Sequence, residues 1–287
     1  GRPPASGEEA AMALESSLLG KEQPLDGERL LPAWRVLFVL CVVAFTSNVI
    51  ISLIAPILPQ HFEAIGVSQV WCGVMFSGFP VATLVFSPLV VVAMAKCGRA
   101  PVLFVGLLLQ GVTSITFGFA DRLTGGAGVN REAALAVYTV SRLACGAGAA
   151  CANNAIFSVA ADRFPTSLAK VMGLNEVVIG AGFSLGPPIG TALMMRFGFA
   201  YSFVASGLAL LLFAPCALLI WQPRPAKRDG AGEADEAAGG LCEVLTPELV
   251  IAGGCLLLGT GVFGIVEPIL SLYLRDEVGV GQAAIGL

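Results

Sequence analysis

The sequence predicts an all-α membrane protein built as two six-helix halves, of which this chain carries the first half, span 7 and the start of span 8, where it is truncated. Three observations predict it. Hydrophobic residues make up 56% of the 287 and charged residues 13%, with a mean hydropathy of +0.84. That is too apolar for a soluble domain that must solvate its surface. Seven apolar stretches reach the roughly 20 residues that a membrane-crossing helix needs, and after the sixth the pattern starts again.

In chain order, residues 1–33 form a polar segment without the basic-then-apolar start of a signal peptide, expected as a disordered cytosolic tail. Within it, Glu15-Ser16-Ser17-Leu18-Leu19 has the form of an acidic dileucine sorting string. The spans fall at about 34–58, 72–95, 101–120, 133–157, 171–195, 199–221 and 249–274. The first six make one bundle, 34–221, and a Pro/Gly/Ala/Glu-rich linker, 222–246, separates it from the start of a second, 247–287. With a cytosolic N-terminus, Lys21, Arg29, Arg35, Lys96, Arg99, Arg163, Lys170, Arg224, Lys227 and Arg228 fall on the inner side. Only Arg122, Arg131, Arg196 and Arg275 fall outside, as the positive-inside bias requires, so tail and linker share the cytosolic side.

The formal net charge of -4 comes with no basic run, which argues against a nucleic-acid partner. The eight cysteines show neither metal-ligand spacing nor a paired extracellular pattern and read as small packing residues. With no nucleophile–base pairing, phosphate loop or metal cluster in view, no enzyme activity, cofactor or metal is expected.

An internal repeat supports the two-half organisation. Ala55-Pro56-Ile57-Leu58-Pro59 ends span 1 and Glu267-Pro268-Ile269-Leu270-Ser271 ends span 7, an offset of 212. Val67, Gln69 and Gly73 then match Val280, Gln282 and Gly286 at 213. Near-constant register through helix end, loop and next helix start points to a parallel repeat about an axis along the membrane normal.

Local motifs sharpen this. Span 4 carries Arg142 followed by Gly146 and Gly148, and span 5 carries Gly173, Gly182, Gly186, Pro187 and Gly190. Glycines strip one helix face so that backbones can approach, and Pro187 frees a carbonyl and allows a bend. Both strings resemble the major facilitator superfamily: the first its span-4 arginine–glycine pattern, the second its span-5 antiporter motif, with Thr191 where a further glycine usually stands. The loop Met94-Ala95-Lys96-Cys97-Gly98-Arg99 departs from the pattern, lacking the usual Asp before Gly-Arg, so a gating ion pair is not expected from it. From Leu37 to Leu287 the chain is most similar to the vesicular amine transporters, solute carrier family eighteen. The strings that carry this are Asn48 with Pro56 to Pro59, Gly182 to Gly190 and Glu267 to Leu270. Where monoamine carriers have an Asp before Asn48 this chain has Ser47, as in the polyamine-type branch, and Glu176 resembles a Glu of that branch.

Charges in spans are costly, roughly 2.5 to 3.5 kcal/mol at mid-bilayer, and persist only facing a cavity or a partner. Arg142, Glu176 and Glu267 qualify, Glu267 either as a cation-binding carboxylate beside the bend at Pro268 or as one near the interface that reaches the headgroups, Glu176 and Arg142 either as site residues or as structural pairs. Ser47 and Asn48 are candidate cavity contacts or plain interhelical hydrogen bonders. His61, the sole histidine, is expected as a loop residue at the lumenal end of span 1, with pH sensing as the alternative.

The resemblance implies exchange of lumenal protons for a cytosolic small organic cation, polyamine or monoamine, across an intracellular vesicle membrane, by a monomer embedded in the lipid bilayer. The two halves would rock about a central site. A carboxylate ionised on one side and protonated on the other gives the two facing states the different affinities that such a cycle needs. The alternatives are a proton-coupled drug or small-solute exporter at the plasma membrane and a non-transporting receptor or scaffold.

Overall fold

The computed structural model describes residues 32–125 and 130–220, together with 251, 254 and 258. The chain divides into two compact units, 1–222 with 282–287, and 223–281. Nearly all the described residues belong to the first. The N-terminal tail, the 222–246 linker, the start of the second bundle and Glu267 lie outside the described residues.

Among the described residues six helices are long and apolar enough to cross a membrane, which matches the spans expected up to residue 221. Span 1 is two helices in line, α1 (Ala33–Ser52) and α2 (Ile54–Ala64), joined at Leu53. Pro56 and Pro59 lack the amide protons that would close this stretch, yet the helix runs on past the expected end at 58 to Ala64. Prolines are tolerated in such helices because neighbours and local adjustments satisfy the freed carbonyls. Gly66, at φ +69°, terminates it: Val67 N–H donates to Phe62 O at 2.8 Å across a left-handed residue that disfavours any side chain.

α3 (Val70–Cys97) follows, then α4 (Arg99–Gly118), entered through Gly98 at φ +91°. A short α5 (Ala120–Leu123) leads to α6 (Arg131–Arg163), whose first turn is capped by Asn130 Oδ1 accepting from Ala133 N–H at 3.3 Å. α7 (Leu168–Phe197) contains Pro187 and Pro188, and α8 (Phe199–Phe213) runs into a 3-10 turn, Ala214–Ile220.

The principal pairings are α6 with α3 and α4, α4 with α8, and α1 with α7. Lipid tails are as apolar as leucine, so association rests on close packing rather than hydrophobic exclusion. Glycines provide it. A Cβ on Gly106 of α4 would sit 2.8 Å from Gly148 O of α6, and one on Gly148 would sit 2.7 Å from Gly106 O. Gly111 and Gly207 make the same reciprocal approach between α4 and α8, at 3.0 and 2.6 Å. The core between these seams holds Leu40, Val43, Leu103, Leu107, Tyr138 and Ile156. α3 turns Val81, Leu84, Val85 and Leu89 outward, an apolar face suited to lipid or to a further helix layer.

Gln110 is the exception in this core. It is 0% exposed beside Gly148, and neither its Oε1 nor its Nε2 has a hydrogen-bond partner among the described residues. An unsatisfied buried amide costs about 1–3 kcal/mol. Gln110→Leu, close in volume, is therefore expected to raise the thermal unfolding midpoint of the reconstituted protein; a lower midpoint would mean the amide is satisfied there.

Candidate substrate and proton site

Arg142 lies in α6 one turn before Gly146 and is 6% exposed. Its Nε donates to Met75 O at 3.2 Å, and its guanidinium sits 4.8 Å from the centre of the Phe79 ring, a cation–π contact that partly replaces lost hydration. Both partners are on α3. The approach is possible because a Cβ on Gly146 would lie only 2.5 Å from Phe79 O, so the glycine brings α3 and α6 together where the arginine needs them. Thr83 Oγ1, bonded to both Phe79 O and Gly146 O at 3.0 Å, fastens the same crossing.

Arg142 also lines a small cavity with Ser141 and Cys145 of α6, Thr113, Ser114 and Phe117 of α4, Ile50 and Ile54 of span 1, and Phe203 of α8. Its volume, about 20 Å³, accommodates one or two waters and no organic cation. Thr113 and Ser114 spend their hydroxyl protons on backbone carbonyls, Leu109 O at 2.7 Å and Phe203 O at 3.2 Å.

The span-5 glycines form a seam with span 1. Gly182, Gly186 and Gly190 recur every fourth residue and so share one face of α7. A Cβ on each would meet α1 or the residue that joins it to α2: Phe45 O at 3.0 Å for Gly182, Val49 O at 2.9 Å for Gly186, Leu53 O at 2.8 Å for Gly190. Ser52 Oγ donates across the seam to Gly182 O at 3.2 Å. Thr191, at the motif's variant position, is buried beside Gly190, and Pro187 is half-buried. Gly173 departs from the expectation of a tightly packed element: nothing lies within 4 Å of where its Cβ would be.

Ser47 and Asn48 are both buried on α1. Asn48 Nδ2 donates to Ala44 O of its own helix at 2.7 Å, whereas Ser47 Oγ has no hydrogen-bond partner among the described residues. Glu176 requires a correction. The sequence argument left it as a site residue or one half of a structural pair; it is exposed, and among the described residues it forms no ion pair. Its neighbour Asn175 is the residue that turns inward, 4% exposed. Arg142, the glycine seam and Ser47–Asn48 are thus brought together within one bundle, with Glu176 on an exposed face of α7.

Two further expectations change. Arg99, in the loop string that lacks the usual Asp, does form an ion pair, with Asp162 in the last turn of α6. Sequence reasoning missed it because Asp162 lies on a different helix. His61 is a helical residue of α2, not a loop residue: its Nε2 is 2.7 Å from Asp121 Oδ2 and 3.1 Å from Tyr138 Oη. Among the described cysteines all are free, and Cys97 is exposed where the others are buried or half-buried.

A family model described as Major Facilitator Superfamily matches residues 37–287. The MFS-type transporter SLC18B1 of Mus musculus is 27% identical over 237 residues, 82% of this chain and 49% of that protein. The Homo sapiens protein of the same name is 25% identical over the same shares. The quinolone resistance protein NorA of Staphylococcus aureus is 26% identical over 249 residues, 84% of this chain and 59% of that protein. The chain spans about half the length of the curated relatives it matches.

Proposed function

Because the chain belongs to the Major Facilitator Superfamily, we propose that it is the first half of a proton-coupled antiporter that moves an organic cation, polyamine or monoamine, across a vesicle membrane. The family is one of multi-pass membrane transporters rather than enzymes, and the similarity to proteins named SLC18B1 agrees with the resemblance to solute carrier family eighteen. The observation that carries the cation reading is Glu176, a carboxylate on a membrane-spanning helix, exposed on the helix that packs against span 1 and engaged in no ion pair among the described residues. At such a position a carboxylate persists only where it meets water, a cavity or a cation.

In the proposed cycle, ionised Glu176 and Glu267 attract the amine from the cytosol. Protonation on the lumenal side removes that attraction and releases it, so the two facing states differ in affinity and the proton gradient drives exchange. Arg142 holds span 4 to span 2 by its contacts to Met75 and Phe79, which keeps its half-bundle rigid as the two halves rock. Ser47, in place of an acid, leaves the span-1 wall of the site neutral, which favours a substrate that finds its carboxylates elsewhere.

A second reading, a proton-coupled exporter of drugs at the plasma membrane, is favoured by the similarity to NorA. The discriminating experiment is competition in proteoliposomes carrying the full-length protein: labelled spermidine, with unlabelled serotonin, acetylcholine and a fluoroquinolone as competitors. Saturable spermidine uptake, displaced by amines and indifferent to the quinolone, is the expected result; displacement by the quinolone alone would move the assignment to the exporter.

A further inference from the structure

At the end of the bundle opposite Arg99 and Asp162, three elements converge on the imidazole that α2 carries. Asp121 comes from α5 and Tyr138 from the second turn of α6; Phe199, the first residue of α8, stacks on the His61 ring at 3.6 Å with the planes 11° apart. The proton positions follow from the donors available. Tyr138 Oη has one proton and donates it to Asp121 Oδ1 at 2.8 Å. The carboxylate is an acceptor only, so the 2.7 Å contact to Asp121 Oδ2 requires a proton on His61 Nε2. Neutral His61 is therefore the Nε2–H tautomer, and an added proton goes to Nδ1.

We propose that His61, Asp121 and Tyr138 form a proton-binding site at this end of the bundle, where a proton from the adjoining water, taken on Nδ1, turns the hydrogen bond from a neutral imidazole to a carboxylate into an ion pair. The pair ties span 1 to the α5 turn directly and to spans 4 and 6 through Tyr138 and Phe199. Water reaches the site, since the His61 and Asp121 side chains are 14% and 21% exposed.

Burial alone would raise the Asp121 carboxyl, but hydrogen bonds from His61 and Tyr138 and the charge on His61 bring it below the usual carboxylate range. Asp121 thus stays ionised through the roughly pH 8 to 5 interval in which histidines change charge. Its contribution to stability, present above the ordinary aspartate range, is lost only as pH falls through that lowered value. The other titratable or charged groups at this end are Glu63 on α2, Cys72 on α3, Arg122 beside Phe119 and Tyr201, Arg131 and Glu132 at the start of α6, and Arg196 at the end of α7. Their charges nearly balance, and Asp121, at 2.7 Å from Nε2, dominates by proximity. The site is built without Glu176, so it stands or falls apart from the transport reading.

His61 is the only histidine among these 287 residues, so the long-range ¹H–¹⁵N spectrum of this chain, labelled and placed in lipid nanodiscs, reports this ring alone. Expected are the Nε2–H tautomer at pH 8, imidazolium after acidification, and a weaker hold on that proton in Asp121→Asn, which loses the neighbouring opposite charge. Tyr138→Phe, which keeps the charge pair, should move the titration by less than Asp121→Asn does. An Nδ1–H tautomer at pH 8, no titration in the wild type, or an unchanged titration in folded Asp121→Asn would overturn the proposal. The first two outcomes need no variant.

Discussion

Replacing Gly186 with leucine is expected to cost the bundle about 3 kcal/mol or more, enough that little folded protein is recovered in lipid. A Cβ at this position would collide with Ser52 Oγ and stand 2.9 Å from Val49 O, before the rest of a leucine side chain is placed. Neither neighbour yields cheaply: one is helix backbone, and the other is a short hydroxyl already bonded to Asn48 O at 3.0 Å and across the seam to Gly182 O. α7 would have to move off α1, opening the wall that holds Ser47 and Asn48. Gly173→Ala provides the control. With open space at its Cβ, it should change stability by less than about 0.5 kcal/mol or raise it slightly through helix propensity. Thermal unfolding of both variants in nanodiscs reads the contrast, and equal effects would mean the seam does not hold the helices.

The second large effect is expected from Glu267→Gln in the full-length protein. A charged hydrogen bond to a cation in a poorly hydrated site contributes about 1.5–3 kcal/mol, so losing the charge should reduce proton-driven amine transport about 10- to 100-fold. Glu176→Gln should do less. Pairs made by exposed carboxylates are worth roughly 0.2–1 kcal/mol, a few-fold at most, unless the second half of the protein covers this face of α7. The ratio of the two effects therefore measures which carboxylate meets the substrate in a dry environment. Initial rates at a fixed pH difference, normalised to protein incorporated, give that ratio directly.

Hydropathy was enough to place the first six spans because lipid imposes one requirement, an apolar helix of sufficient length, that a single chain displays openly. Span 1 runs to Ala64 rather than 58 because the helix outlasts its apolar stretch, and membrane helices carry prolines such as Pro56 and Pro59 when neighbours satisfy the freed carbonyls. The early end at 58 is what put His61 in a loop. The stripe of Gly182, Gly186 and Gly190 was visible as a period of four, but its partner on span 1 was not, because nothing in a periodicity says which helix it meets. The pairs Gly106–Gly148 and Gly111–Gly207, and the His61–Asp121 contact, join residues far apart in sequence and leave no local mark at all. Glu176 is different: it lies six positions from Gly182, about 240° around the helix from the buried stripe, so its exposure could have been read from the spacing alone.

Proton coupling is the central claim, and acid-loaded proteoliposomes carrying the full-length protein test it most directly. Labelled spermidine uptake is followed with an acidic interior, after the gradient is collapsed by an ionophore, and with Glu267→Gln. The account predicts uptake that rises with the gradient, vanishes when it is collapsed and is largely lost in the variant; uptake that ignores the gradient, or that the variant leaves intact, would contradict it.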